Sequence, residues 1–334
     1  MRRNMNAWKN SVLTSDKRLA MPIMTQPGIS NIGRTVHEAV THAAIHAEAV
    51  RSVAASYPTA ASTMIMDLSV EAEAFGSTIR FSDHEVPTVT ARCVSDAESI
   101  ERLAVPSLSS GRIPVYLEAA RIASAAITDR PVFAGCIGPF SLAARLYDVT
   151  EILTAILLEP DSIHALLQKT TQLLTSYVLA FKASGANGIL VAEPVAGVLA
   201  EEQCAEFSSQ YVRQVVSAAQ DENFLVILHN CGDTNALVQT MRSTGASGLH
   251  FGNRCTIVEA LKQLPENLLV FGNLDPVGVL KTGTPESVAR ETQQLLEATK
   301  EFRNFILSSG CDVPPGTPTE NIESMFRALG QYQS

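Results

Sequence analysis

Short aliphatic runs alternate with longer amphipathic segments along the whole of this 334-residue sequence. Between the runs, apolar residues recur at spacings of three and four, as on amphipathic helices, for example over Ser162 to Ser184 and Glu286 to Phe302. Regular alternation of this kind builds a parallel sheet, and eight units favour a (β/α)8 TIM barrel over a doubly wound sheet. The eight predicted strands are Leu19 to Thr25, Thr63 to Met66, Val132 to Cys136, Gly188 to Ala192, Phe224 to Leu228, Ser247 to Phe251, Leu268 to Gly272 and Asn304 to Ser308.

Two irregular parts are added to this predicted barrel. An N-terminal extension precedes the first strand, and the segment from Asp83 to Arg130, between the second and third strands, carries clustered proline, serine and glycine. We therefore predict an excursion between those strands. No low-complexity tract, linker or solenoid repeat divides the sequence, so we predict a single domain over residues 1–334.

Charge and hydropathy exclude several classes of partner. The formal net charge is −9 and no Lys/Arg cluster is longer than Arg2-Arg3, so no nucleic-acid partner is expected. The apolar run from Gly188 to Ala200 is interrupted by Glu193 and Pro194, far short of the roughly 20 residues of a membrane span. The first twelve residues lack the apolar stretch of a secretory signal, and the six cysteines are too sparse for a disulfide scaffold. We predict a soluble, cytoplasmic protein with reduced cysteines and no membrane partner.

Soft metal donors follow two of the predicted strands. His229 and Cys231 come just after the fifth strand, and Cys311 comes just after the eighth. Because TIM barrels build their active sites at the carboxyl ends of the strands, the three side chains are expected on one rim, where His and two Cys suit a catalytic zinc with one exchangeable position. The alternative is a core histidine and small buried cysteines. Asp233 and Asp312 follow the donor segments and are candidates for orienting His229 or neighbouring backbone.

Six further segments carry a family resemblance that extends over nearly the whole chain. They are similar to segments of the uroporphyrinogen decarboxylase superfamily and, within it, of the methylcobamide:coenzyme M methyltransferase branch. The segments are Met21 to Ile29, Met66 to Gly76, Gly138 to Leu142, Glu193 to Gly197, Gly272 to Pro276 and Thr317 to Asn321.

The differences between the two branches favour the methyltransferases. Decarboxylases carry two arginines that bind propionates in the first segment, where this chain has Thr25 and Ile29. They place a histidine in a Gly-His-Gly motif at the position of Cys311, and they lack the His-x-Cys-Gly element that begins here at His229. The methyltransferase branch uses a His-x-Cys and a distant Cys as zinc ligands, as in this chain, where Cys311 lies 80 positions after Cys231.

The resemblance implies a zinc-dependent methyltransferase that moves a methyl group from a methylated corrinoid, carried by a corrinoid protein, to a small thiol such as coenzyme M. A thiol near neutral pH is mostly protonated, and coordination to zinc favours the nucleophilic thiolate. The thiolate then attacks the methyl group of a methyl-cob(III)amide, which leaves as cob(I)amide. Three alternatives stay open: a zinc enzyme that demethylates a small donor onto a corrinoid protein, a divergent decarboxylase, and a metal-binding module without turnover.

Further polar residues are predicted to complete the site. Glu193, just past the fourth strand, is a candidate catalytic residue and fourth zinc ligand, displaced by the thiol, or else an acceptor beside the ligands. Asp67 occupies the position of the pyrrole-binding aspartate of the decarboxylases and is predicted to be catalytic and to bind substrate. Gln26, Asn273 and Asp275 are predicted to bind substrate at the same mouth.

Overall fold

A sheet of seven parallel strands forms the centre of the computed structural model, which describes residues 3–332. The order along the sheet is β1-β4-β5-β6-β7-β8-β9, so that each strand pairs with its successor from β4 onward, as repeated βα units require. Strands β2 and β3 form a separate antiparallel pair. The strands are β1 (Ser62–Thr63), β2 (Thr78–Arg80), β3 (Thr88–Ala91), β4 (Val132–Ile137), β5 (Gly188–Ala192), β6 (Leu225–Asn230), β7 (Gly248–Phe251), β8 (Leu269–Leu274) and β9 (Phe305–Ser309).

Helices occupy the connections between the strands. Three short segments have other helical forms, a 3₁₀ helix at Val195–Val198 and π-helices at Ala205–Ser209 and Pro276–Lys281. No helix among residues 3–332 is long and apolar enough to span a membrane. The α-helices are α1 (Met5–Leu13), α2 (Thr25–Asn31), α3 (Val36–Thr41), α4 (Ala43–Ser56), α5 (Val70–Ala74), α6 (Ala97–Arg102), α7 (Ile113–Ala126), α8 (Pro139–Tyr147), α9 (Val149–Leu158), α10 (Pro160–Ala183), α11 (Glu201–Cys204), α12 (Gln210–Ala219), α13 (Val238–Arg242), α14 (Ile257–Lys262), α15 (Pro285–Ala298) and α16 (Thr319–Tyr332).

Residues 19–24 close the sheet into a barrel. Ala20 forms a parallel bridge to Leu307 in β9, and the Met21 N–H donates to the Leu307 carbonyl at 2.8 Å. On the other side, the Ala60 N–H donates to the Ala20 carbonyl at 2.8 Å, just before β1. The TIM barrel predicted from the sequence is confirmed, and its eighth position is held by this closing segment.

The first two predicted strands need correction. The predicted strand Leu19 to Thr25 forms a bridge rather than a regular strand, because Pro22 has no N–H to donate to a ladder. Thr25, the last residue of the predicted strand, is the first residue of α2. Thr63 to Met66 is largely outside β1, because the Ile65 N–H donates to the His46 ring at 3.0 Å instead of to a neighbouring strand.

The two predicted irregular parts are also present. The N-terminal extension forms α1, whose Met5 and Trp8 pack against apolar side chains inside the barrel; the Trp8 and Phe133 rings lie 5.7 Å apart. Phe133 lies near the start of β4, so α1 covers the amino-terminal end of the barrel. The excursion between β1 and β4 contains the β2–β3 hairpin and α6.

Candidate metal centre

Three soft donors converge at the carboxyl ends of β6 and β9. His229 is the fifth residue of β6, which runs further than predicted, Cys231 directly follows that strand, and Cys311 lies two residues beyond β9. One ligand atom from each lies within 4.8 Å of the others, and no other group of three His, Cys, Asp or Glu side chains in residues 3–332 is arranged for a metal in this way. His229 is buried and both cysteines are half-buried. The three side chains therefore lie together at one end of the barrel, as predicted from the sequence.

The ring nitrogens of His229 have different surroundings. Its Nδ1 lies 2.8 Å from Nδ1 of His250 in β7. Its Nε2 is buried and has no hydrogen-bond partner in the described protein. A buried polar atom left unpaired costs about 1–3 kcal/mol, and a zinc ion at this position would supply the missing partner. His229 therefore fits a metal ligand through Nε2.

The two thiols influence one another. A hydrogen bond with Cys311, followed by the nearby His229 ring, lowers the pKa of Cys231, whereas the same hydrogen bond, burial and the negative charge of Cys231 raise the pKa of Cys311. The pair thus loses one proton readily and resists losing the second. A divalent cation between the sulfurs would compensate the second negative charge, so the electrostatics of the pair also fit a metal.

Two hydrogen-bonded turns hold the cysteines in place. Asp312 accepts from the Thr25 N–H at 3.1 Å and from the Thr25 hydroxyl, and burial raises the pKa of Asp312 to about 6. On the other turn, the Asn230 side chain donates to the Glu193 carbonyl at 2.7 Å and accepts from the Gly232 N–H at 2.8 Å. These contacts connect each donor segment to the end of another barrel unit.

Glu193 lies just past β5 but outside the group of three donors. Its Oε1 accepts from the Phe140 N–H at 2.9 Å, and its Oε2 accepts from the Ser141 N–H at 2.9 Å and the Ser141 hydroxyl at 2.6 Å. Burial raises the pKa of this carboxyl to about 7. A Cβ at Gly138 would lie 2.4 Å from the carboxyl carbon, so the close fit requires glycine there. Both carboxylate oxygens therefore accept from α8, and the role of Glu193 as a metal ligand stays a prediction.

Asp67 belongs to a buried ionic network. Its Oδ2 accepts from Arg112 and from the Tyr116 hydroxyl, and its Oδ1 accepts from the Ser69 N–H at 2.9 Å and hydroxyl at 2.6 Å. Arg112 also donates to Glu73 at 2.6 Å. The four donors around Asp67 come from the protein itself, and the catalytic and substrate-binding roles of Asp67 stay predictions.

The other predicted substrate-binding residues differ in whether their side chains have a hydrogen-bonding atom available for a substrate. Asn273 donates to the carbonyls of Gly252 and Cys255 at 2.9 and 2.7 Å, and Asp275 accepts from two N–H groups at the start of the Pro276–Lys281 helix. Gln26 is buried in α2, and its Nε2 has no hydrogen-bond partner in the described protein. Of the three, Gln26 is the residue with an available donor.

His250 was missed in the sequence because it lies within an apolar strand. In the parallel register of β6 and β7 it stands beside His229. The signal was present, since a histidine in each of two consecutive buried strands is unusual, but its meaning depends on the register, which the sequence pattern leaves open.

Glu71, a buried carboxyl close to Asp67 in sequence, gives a test of burial. It lies in α5, where its Oε1 accepts from the Ile137 N–H at 3.2 Å and its Oε2 has no partner in the described protein. Burial raises the pKa of Glu71 from 4.5 to about 8. The folded protein therefore retains a proton that the unfolded chain loses, and this contribution to the free energy of unfolding is complete below pH 4.5 and is lost as the pH rises towards 8.

We expect Glu71→Gln to remove this pH dependence. Relative to the wild-type protein, the free energy of unfolding of the variant should rise by roughly 3 kcal/mol between about pH 5 and pH 7.5, at about 1.4 kcal/mol per pH unit. Urea denaturation at the two pH values measures the difference. Glu101→Gln, an exposed change on α6, serves as the control. A difference between Glu71→Gln and wild type that is the same at both pH values would contradict the expectation.

Comparisons with known proteins found relatives that match most of the chain. Residues 17–332 match the family model described as uroporphyrinogen decarboxylase (URO-D). The methylcobamide:CoM methyltransferase MtbA of Methanosarcina acetivorans is 30% identical over 271 residues, 80% of this chain and 78% of that protein. A uroporphyrinogen decarboxylase of Methylobacillus flagellatus is 27% identical over 288 residues, 83% of this chain and 80% of that protein. A solved methyltransferase from Methanosarcina mazei shares the fold with a TM-score of 0.89, at 24% identity and 99% coverage of both chains.

Proposed function

The chain belongs to the uroporphyrinogen decarboxylase family, and we propose that it is a zinc-dependent methyltransferase that moves a methyl group from a methylated corrinoid to a small thiol such as coenzyme M. The observation that carries the proposal is the convergence of His229, Cys231 and Cys311 at the mouth of the barrel. The relatives named for methyl transfer between a methylcobamide and CoM support the same reaction class.

The chain's own residues define what this site does. His229, Cys231 and Cys311 would hold the zinc ion from two strand ends, and the exposed parts of the cysteines leave one side open to a substrate. When bound, zinc supplies a Lewis acid that favours the thiolate form of a substrate thiol. Two anionic cysteine ligands reduce the positive charge of the centre, so that the substrate sulfur keeps the electron density it needs to attack a methyl group.

The positions that would bind propionates in a decarboxylase argue against that reaction. Thr25 and Ile29 lie in α2 and are buried, and the Thr25 hydroxyl donates to Asp312, the residue after Cys311. The site therefore has a hydroxyl and an aliphatic side chain where a propionate-binding enzyme has two cations. This difference supports methyl transfer over decarboxylation.

Other residues have proposed roles around this centre. Gln26 is proposed to donate to the substrate, because its amide nitrogen is buried and without a partner in the described protein. For Glu193, the hydrogen bonds to α8 support the predicted role as an acceptor that orders the surroundings of the centre. We also propose that the corrinoid is presented by a partner protein and that Asp67, Asn273 and Asp275 shape the mouth through the segments they hold.

A direct assay tests the proposed function. Zinc-loaded protein is mixed with free methylcobalamin and coenzyme M under anaerobic conditions, and the absorbance change of the corrinoid and the methylated thiol are measured together. We expect stoichiometric zinc and methyl transfer that requires it. Zinc-loaded protein that methylates no thiol from a panel but decarboxylates a porphyrinogen would overturn the proposal.

A further inference from the structure

A chain of hydrogen bonds extends from His229 to the segment that closes the barrel. His229 Nδ1 lies 2.8 Å from His250 Nδ1, His250 Nε2 lies 2.9 Å from the Ser308 hydroxyl oxygen, and that hydroxyl lies 2.8 Å from the Met21 carbonyl. His250 and Ser308 are fully buried. Because the members are enclosed by protein, the direction of every bond follows from which atoms carry hydrogen.

The direction is fixed at the far end. A carbonyl oxygen only accepts, so Ser308 uses its single hydroxyl proton on Met21. The Ser308 oxygen must then accept from His250, which places the His250 proton on Nε2. A buried neutral imidazole carries one proton, so Nδ1 of His250 is an acceptor. His229 must therefore donate from Nδ1. The Nε2 atom of His229 then keeps a lone pair that points away from His250 and the other members of the hydrogen-bond series.

We propose that His250, held by Ser308, is a positioning residue that fixes the tautomer of His229 and presents its Nε2 to the metal. The inference rests on the proposed zinc function for the identity of the ion. A metal-binding histidine commonly donates its other N–H to a carboxylate, a carbonyl or water, which selects the tautomer and the ring orientation. Here a neutral imidazole takes that place, so the orientation is fixed without adding a negative charge behind the ligand.

Variants at position 250 distinguish the effect of losing the hydrogen-bond acceptor from the effect of losing the imidazole ring. His250→Leu cannot accept from His229, and it should weaken zinc binding by roughly 10- to 100-fold. His250→Asn keeps an acceptor near the position of Nδ1, and it should recover most of that loss. Ser308→Ala frees the His250 ring and should give an intermediate loss. Zinc affinity is measured by competition with a chromophoric chelator, independently of methyl transfer.

A matched control distinguishes a specific effect from a general loss of stability. His46 in α4 is an equally buried histidine that accepts from the Ile65 N–H outside the metal centre. His46→Leu should lower the free energy of unfolding and leave zinc affinity within about twofold of wild type. Folded His250→Leu protein with wild-type zinc affinity would overturn the inference.

The wild-type protein provides a test that needs no variant. Two-bond ¹⁵N–¹H correlations of zinc-loaded protein report which ring nitrogen of each histidine is protonated. We expect the proton of His229 on Nδ1 and that of His250 on Nε2. Zinc bound with His229 protonated on Nε2 would overturn this inference alone, whereas failure to bind zinc at all would overturn it together with the proposed function.

Discussion

Replacing Cys311 by serine is expected to reduce methyl transfer to background and to weaken zinc binding by more than about 100-fold. Loss of an outer partner of a metal ligand costs up to about 100-fold, and loss of a ligand itself should cost more. A serine hydroxyl stays protonated at neutral pH, so it supplies neither the anionic donor nor the softness of a thiolate. Zinc content after dialysis and the rate of thiol methylation measure the two effects.

Cys93→Ser is the matched control for this substitution. Cys93 is also half-buried, it lies outside the group of three donors, and its sulfur is 2.9 Å from the Ser77 hydroxyl. This variant should keep its zinc and its activity. Full activity of Cys311→Ser in metal-free buffer would contradict the role of Cys311 as a ligand.

Arg112→Met is expected to lower the free energy of unfolding by about 3–5 kcal/mol. The substitution leaves Asp67 without its cation in a place where the Asp67 side chain is 0% exposed and the Arg112 side chain was 7% exposed. The Ser69 hydroxyl also loses a donor, at 2.8 Å in the wild-type protein. Urea denaturation at a fixed zinc concentration measures the loss.

Two further variants sharpen the test at Arg112. Arg121 lies in α7, the helix that begins directly after Arg112, and pairs with Glu118. The Arg121 side chain is 60% exposed, so Arg121→Met should change the free energy of unfolding by less than about 1 kcal/mol. Adding Asp67→Asn to Arg112→Met should recover part of the loss, because the unpaired buried charge is removed. A loss no larger for Arg112→Met than for Arg121→Met would disprove the expected energetic role of the network.

The sequence predicted the strands from β4 to β9 because each is buried and appears as a continuous apolar run. It also predicted that His229, Cys231 and Cys311 lie together, since residues after parallel strands meet at one end of a barrel. The prediction of the first strand was wrong because a proline interrupts its hydrogen-bond ladder. The prediction of the second was wrong because the Ile65 N–H donates to the His46 ring, a contact between distant residues that the sequence pattern does not contain.

The hydrogen-bond partners of Glu193 and Asp67 could not be predicted from the sequence for a similar reason. Glu193 accepts from Ser141, 52 positions away, and Asp67 accepts from Arg112, 45 positions away. A motif identifies a carboxylate near a strand end, but its available oxygens depend on how distant helices pack. Hydrogen bonds of this kind decide whether a carboxylate is free to meet a ligand or is already committed to the protein.

The closing segment of the barrel has a consequence for the order in which the centre is made. Met21 accepts from Ser308, and Thr25 donates to Asp312, in both cases across 287 positions of sequence. A ribosome synthesises the first partner of each pair long before the second, and long-range contacts of this kind must await both. His229 and Cys231 are therefore synthesised before Cys311, and before the contacts of Ser308 and Asp312 with the closing segment can form. The complete set of donors exists only once translation has passed Cys311 and Asp312.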